Sequence, residues 1–136
     1  MPTNQSKLVP QIKRIIAHRD ARGLVFEPIE SDELCSQQNC HVVMSLPGQV
    51  RGNHYHPLTA EWFTVVMGKA EVVLSDVETG ETRHMLLNAD DPITLYIPAG
   101  VGHAFKNPDT TTDIMIFAMY ADRLYDPADT VALKLM

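Results

Sequence analysis

Cysteine is scarce in this 136-residue chain, and its placement excludes two classes of protein. Cys35 and Cys40 are spaced C-x4-C, which matches neither a zinc knuckle nor a redox C-x-x-C pair, and two thiols cannot build a disulfide framework. Reduced thiols in a cytoplasmic protein are the expectation. Basic residues are also few, 11 against 17 acidic ones, for a net charge of −6. Nucleic-acid binding needs clustered basic side chains against phosphates, so it is excluded. No apolar run is long enough to cross a bilayer, and Met1-Pro-Thr-Asn-Gln-Ser-Lys7 lacks the apolar core of a secretion signal. The chain therefore reads as soluble and unexported, with no membrane partner.

Repeats, linkers and low-complexity stretches are missing too, so one domain is expected over residues 1–136, with residues 1–11 as a flexible or edge-exchanged arm. A chain of this size buries about two-thirds of its unfolded surface on folding, enough for a core without a metal staple. Any metal is then free for chemistry. Long windows of helical periodicity are rare, whereas short β-rich runs bounded by Pro, Gly, Asn or Asp recur. They are Ile12 to Ala17, Leu24 to Ile29, His41 to Leu46, Glu61 to Met67, Ala70 to Ser75, Thr82 to Leu87, Ile93 to Ile97 and Asp113 to Met119. Such spacing predicts an all-β sandwich or barrel. Glu78-Thr-Gly-Glu81 reads as a hairpin tip. Met44, Met67, Met85, Met115 and Met119 read as gap-filling core.

Three of the six histidines form one constellation with a glutamate. Alternate residues of a strand share a face, so His54 and His56 converge while Tyr55 points away. Glu61, beyond Pro57-Leu-Thr-Ala60, can return a carboxylate from the next strand, and His103 can add a third imidazole from a distant one. Three nitrogens and one oxygen suit a divalent transition metal with positions left for water or substrate. Zinc is the first expectation, with iron, manganese and nickel as alternatives. His18 and His84 have no such spacing and read as surface or edge residues. Trp62, of opposite parity to Glu61, is a candidate for a subunit interface or for core packing.

Gly48 to Gly68 and Pro92 to Asn107 resemble the two motifs of the cupin superfamily, with Pro92 in place of the second motif's leading glycine. The resemblance implies a double-stranded β-helix, or jelly roll, with the metal inside the barrel. Arg51-Gly-Asn-His-Tyr55 is similar to the Arg-Gly-x-His-Tyr stretch of dTDP-4-dehydrorhamnose 3,5-epimerases, and Asp20-Ala-Arg-Gly23 to a hairpin of that family. Leu124-Tyr-Asp-Pro127 resembles the place of their catalytic tyrosine. Closer still is the cupin domain of capsular-polysaccharide reductase–epimerases, which act on UDP-linked sugars and share the Arg-Gly-Asn-His-Tyr-His run.

These resemblances imply proton abstraction beside a keto group of a nucleotide-linked sugar in surface polysaccharide biosynthesis. A cation near the carbonyl oxygen would stabilise the enolate. In the metal-free epimerases the histidine matching His54 is the general base, a task that ligation would deny it. The base therefore stays open among Tyr125, His41 and a metal-bound hydroxide, with His54 as ligand or base. Arg51 and Lys106 are the substrate-binding candidates, since a guanidinium grips phosphate oxygens in pairs. The strands with the motifs hold Arg51, Lys69 and Lys106 against Glu61 and Glu71, so the acidity lies elsewhere and does not bar an anionic ligand. The related families also imply a homodimer; in the reductase–epimerases a nucleotide-binding reductase precedes the cupin, so the expectation here is a reductase that is a separate protein or is absent. Competing readings are a 3,4-ketoisomerase, which usually lacks the counterpart of Glu61, an Fe(II) dioxygenase, and a non-catalytic metal- or sugar-binding cupin.

Overall fold

A computed structural model describes residues 7, 8 and 12–136; most of the arm expected over residues 1–11 lies outside them. The first strands are β1 (Ile12–Arg14), β2 (His18–Asp20) and β3 (Gly23–Val25), followed by a single-turn helix α1 (Ser31–Leu34). The barrel continues with β4 (Asn39–Ser45), β5 (Val50–Tyr55), β6 (Glu61–Met67), β7 (Lys69–Asp76) and β8 (Thr82–Asn88). It closes with β9 (Ile93–Ile97), β10 (Val101–Lys106), β11 (Met115–Ala121), a 3-10 turn at Pro127–Asp129 and β12 (Val131–Ala132).

Two five-stranded antiparallel sheets face each other, in the orders β1-β9-β6-β11-β4 and β12-β5-β10-β7-β8, with β2 and β3 as a separate hairpin. Consecutive strands repeatedly lie in different sheets, as the expected jelly roll requires. Inward residues of both sheets meet in one apolar cluster that includes Phe63, Leu95, Ile97, Val101, Phe105, Met115 and Phe117. At its centre Phe63 stacks on Phe105 with centroids 4.2 Å apart, and Phe117 is tilted against both. Truncating one such ring typically costs about 3–5 kcal/mol, from lost transfer energy and the cavity left behind. The aromatic cluster fills part of the barrel, and the remaining interior is open.

The hairpin expected at Glu78-Thr-Gly-Glu81 joins β7 to β8. Its base is Asp76, whose carboxylate accepts the backbone N–H groups of Glu78 at 2.9 Å, Lys7 at 3.2 Å and Thr79 at 3.4 Å. The run Leu24 to Ile29 stops as a strand at Val25. Pro28 has no N–H for a ladder, its carbonyl accepts the Thr94 hydroxyl, and Ile29 turns onto Trp62 and Ala60. Of the methionines expected in the core, Met115 and Met119 are buried and Met85 packs beside them. Met44 and Met67 instead face solvent, because their parity sets them outward. Cys35 and Cys40 are free and exposed. Among the described residues no helix is long and apolar enough to cross a membrane.

Candidate metal centre

The site depends on an irregularity between β5 and β10. His54 pairs with His103, but Ala104 pairs with Gly52, leaving Asn53 as an extra residue in β5. Gly52 and Asn53 both have positive φ, 86° and 57°. Gly52 is confined to glycine by sterics as well, since a Cβ there would lie 2.7 Å from the His103 carbonyl oxygen. Three steps along a regular strand would put Arg51 and His54 on opposite faces. The extra residue restores them to one face, so both line the barrel's interior.

His54, His56 and His103 gather within a few ångströms: one nitrogen from each lies within 4.8 Å of those of the others. Glu61 reaches them from the facing sheet, as the first residue of β6, and is 5% exposed. Its Oε1 lies 3.1 Å from His56 Nε2 and 3.3 Å from His103 Nε2, yet it has no hydrogen bond of good geometry to either. The far sides of two rings are committed. His56 Nδ1–H donates to the Asp129 carbonyl at 2.8 Å and His103 Nδ1–H to the Val101 carbonyl at 3.3 Å. Those tautomers turn the Nε2 lone pairs toward a carboxylate oxygen. Such an arrangement holds only with a positive charge between them, a proton or a metal ion, and the donor set of imidazoles and one carboxylate fits a divalent transition metal. Among the described residues the His54 ring has no hydrogen-bond partner, and it rests edge-on against His103, centroids 4.8 Å apart.

The electrostatics follow from burial and these neighbours. Burial pushes His103 down to about 4, so it is neutral at physiological pH. Burial, aided by His56, also lowers His54 against the pull of Glu61. On His56 burial is outweighed by Glu61 and Asp129, and its pKa is raised. Burial would raise Glu61, but His56, His103 and His41 keep the carboxyl ionised below its ordinary value.

The cluster lines a cavity of about 380 Å³, a volume suited to a small organic ligand. Val43, Phe105, Phe117 and Met119 supply its apolar wall. His41 of β4 and Tyr125, beyond β11, both line it, and Tyr125 is 75% exposed. Arg51 is oriented by donating from Nε to Ser45 Oγ at 3.1 Å and from Nη2 to the Met44 carbonyl at 2.9 Å. Lys106 corrects the sequence reading: one step from Phe105, it points out of the barrel and bonds Asp109 at 2.6 Å. Trp62 is covered by Ile29, Ala60 and Tyr96 within the chain and is 8% exposed, so it is packed rather than presented. His18 and His84 are exposed, as expected.

Sequence reasoning missed Arg123, a second guanidinium on the cavity wall, and Asp129, the partner of His56. Neither stands in a recognisable spacing, because Arg123 lies in the loop after β11 and Asp129 in the 3-10 turn that follows it.

The profile described as the polysaccharide biosynthesis C-terminal domain matches residues 18–131. The chain belongs to that family. The match to this polysaccharide biosynthesis family spans all four residues of the cluster and the whole cavity wall. Spore coat polysaccharide biosynthesis protein SpsL of Bacillus subtilis is 30% identical over 103 residues, 71% of this chain and 68% of SpsL. A dTDP-4-dehydrorhamnose 3,5-epimerase of Mycolicibacterium smegmatis is 30% identical over 117 residues, 74% of this chain and 57% of the epimerase. Among solved structures, the capsular polysaccharide assembling protein CapF of Staphylococcus aureus superposes with a TM-score of 0.66 at 29% identity, over 89% of this chain and 34% of CapF. The cupin jelly roll expected from the motifs is the family's fold in this chain.

Proposed function

We propose that this protein is a metal-containing sugar-nucleotide epimerase of surface polysaccharide biosynthesis, working in the cytoplasm on a sugar that carries a keto group. One observation carries the reading: a buried carboxylate faces imidazole lone pairs in a cavity lined by guanidinium groups, within a chain of this family. The likeness to a dTDP-4-dehydrorhamnose 3,5-epimerase supports the reaction class.

His54, His56, His103 and Glu61 would hold the metal. When bound there, a divalent ion supplies Lewis acidity toward a carbonyl oxygen. The chain's own groups account for the rest. Arg51, its guanidinium already oriented by Ser45 and Met44, binds a phosphate of the nucleotide, and Arg123 adds a second positive charge on the same wall. The apolar wall of Phe105, Phe117 and Met119 keeps water from the reacting carbon. His41 and Tyr125 enter the cavity from different segments, so one takes the proton beside the carbonyl and the other returns a proton to the opposite face. His54, as a ligand, is not the base. Glu61 argues against the 3,4-ketoisomerase reading, since the cluster's charge balance depends on its carboxylate.

We further infer a homodimer. Among the described residues strand β4 is a sheet edge with no partner and without Lys or Pro to guard it, and its outward Val42 and Met44 are 69% and 56% exposed. A sugar reductase, acting at the keto carbon, is the partner this chemistry calls for.

The test is incubation of the metal-loaded protein with UDP- and dTDP-4-keto-6-deoxysugars in deuterated water. Deuterium enters the carbon beside the carbonyl, and Glu61→Ala or His54→Ala abolishes it. A metal-loaded protein that exchanges no proton of any keto sugar overturns the epimerase reading, and sugar binding without exchange favours a non-catalytic cupin.

A further inference from the structure

Asn53 sits between Gly52 and His54 in the bulge, and its side chain is committed to the segment that follows β12. Its Oδ1 accepts the N–H groups of Leu135 at 2.9 Å and Met136 at 3.1 Å, and its Nδ2 donates to the Met136 carbonyl at 3.3 Å. Its own carbonyl accepts the Leu133 N–H at 2.9 Å. Strand β12 pairs with Tyr55 and His54. Leu133 and Leu135 lie over Gly102, where a Cβ would meet Leu133 Cδ2 at 2.6 Å. Residues 131–136 therefore form a strap across β5 and β10, the strands that present His54 and His103.

The near end of this strap reaches the cluster. Asp129, two residues before β12, is 5% exposed. Its carbonyl accepts from His56 Nδ1, and its carboxylate accepts the Leu58 N–H at 2.9 Å and the Thr59 hydroxyl. One residue thus orients the His56 ring and fixes the connection that leads to Glu61. Asparagine suits the far end for two reasons: it tolerates a left-handed backbone better than other residues with a Cβ, and its amide both donates and accepts. Glycine would keep the backbone and its bond to Leu133 while removing the three side-chain hydrogen bonds that fasten Leu135 and Met136.

We propose that Asn53 is a positioning residue for the cluster: by fastening residues 131–136 it holds Asp129 against His56, keeping that ring's proton on Nδ1 and its Nε2 turned toward Glu61. The consequence for metal affinity rests on the metal-centre reading above; the consequence for the His56 ring does not.

The test uses the full chain with Asn53→Gly, which preserves the positive φ. Ring nitrogen shifts of His56 are recorded on metal-free protein at about pH 9, where imidazoles are neutral. Zinc affinity is then measured by competition with a chromogenic chelator. Unsubstituted protein shows His56 as the Nδ1–H tautomer alone. Asn53→Gly populates both tautomers and binds zinc at least about tenfold more weakly, the low end of what losing an outer partner of a metal ligand costs. Should Asn53→Gly fail to fold, Leu133→Ala/Leu135→Ala loosens the strap without touching β5 and carries the same expectation. Loss of hydrogen-exchange protection at Leu135 and Met136 with the His56 signal and zinc affinity both unchanged overturns the proposal. An unsubstituted protein that takes up no zinc removes the metal reading and leaves the His56 signal as the deciding measurement.

Discussion

Gly52 shows how one residue without a side chain decides what its neighbours can do. Its carbonyl-facing side has no room for a methyl group, and its φ of 86° is one that other residues adopt under strain. Gly52→Ala must therefore push β5 away from β10, at a cost of about 1–3 kcal/mol for the strained backbone alone. We expect a lowered melting temperature together with zinc binding weakened well beyond the stability loss, because His54 and His103 are directly paired across that contact. Melting curves and chelator competition on one preparation check both effects. At this scale the sequence was informative about identity and poor about direction. The spacing of His54, His56, Glu61 and His103 was enough to nominate a cluster. Whether Arg51 joins it depends on a bulge that period-2 parity does not contain, and Lys106 was nominated through charge alone although its parity turns it outward.

Among the elements, those with clean apolar patterns were legible to the residue: Glu61–Met67 and Ile93–Ile97 begin and end where the sequence reading placed them. The strands that carry the site were not found by pattern. Val50–Tyr55 and Val101–Lys106 are rich in Gly, His and Asn, and they are strands because both their edges are paired, not because their residues favour it. Their hydrogen-bond partners come from distant parts of the chain, which no local window reports. The β7–β8 hairpin illustrates the opposite case, local chemistry with a measurable consequence. Burial would raise the Asp76 carboxyl, but the N–H groups of Glu78, Lys7 and Thr79 outweigh it and lower its pKa. A depressed carboxylate contributes stability that is fully present above its unfolded value and is lost as pH falls through the folded one. Asp76→Asn should therefore be less stable than the unsubstituted protein at neutral pH. The gap should narrow as acid denaturation is followed from about pH 5 to 2, since the unsubstituted protein alone loses this contribution.

At the scale of the whole molecule, the recurrence of short β-rich runs limited the possibilities to an all-β fold, and the two cupin motifs carried the rest. What composition could not show was which surfaces remain unsatisfied. Among the described residues the seven-residue strand β4 has no partner on its outer side, where alternate residues present unpaired backbone groups. A second copy meeting it there would join two sheets and cover Val42 and Met44. Light scattering should give twice the chain mass, and Val42→Lys/Met44→Lys should return it to one chain with the cavity intact. A single-chain mass for the unsubstituted protein would contradict the dimer.

The cluster's four side chains do not belong to one sheet. His54 and His103 rise from one, Glu61 descends from the other, and His56 lies in the connection between them. An ion held by all four would act as a rivet between the two layers, adding to the apolar core and to the hydrogen bonds of Arg51 with Ser45 and Met44, and because it binds the folded form alone it would stabilise that form by about 4 kcal/mol at a thousandfold excess over its dissociation constant. Metal supply would then bear on the lifetime of the chain as well as on its chemistry: in a cell short of the ion, the two layers would part more often and expose the chain to proteases.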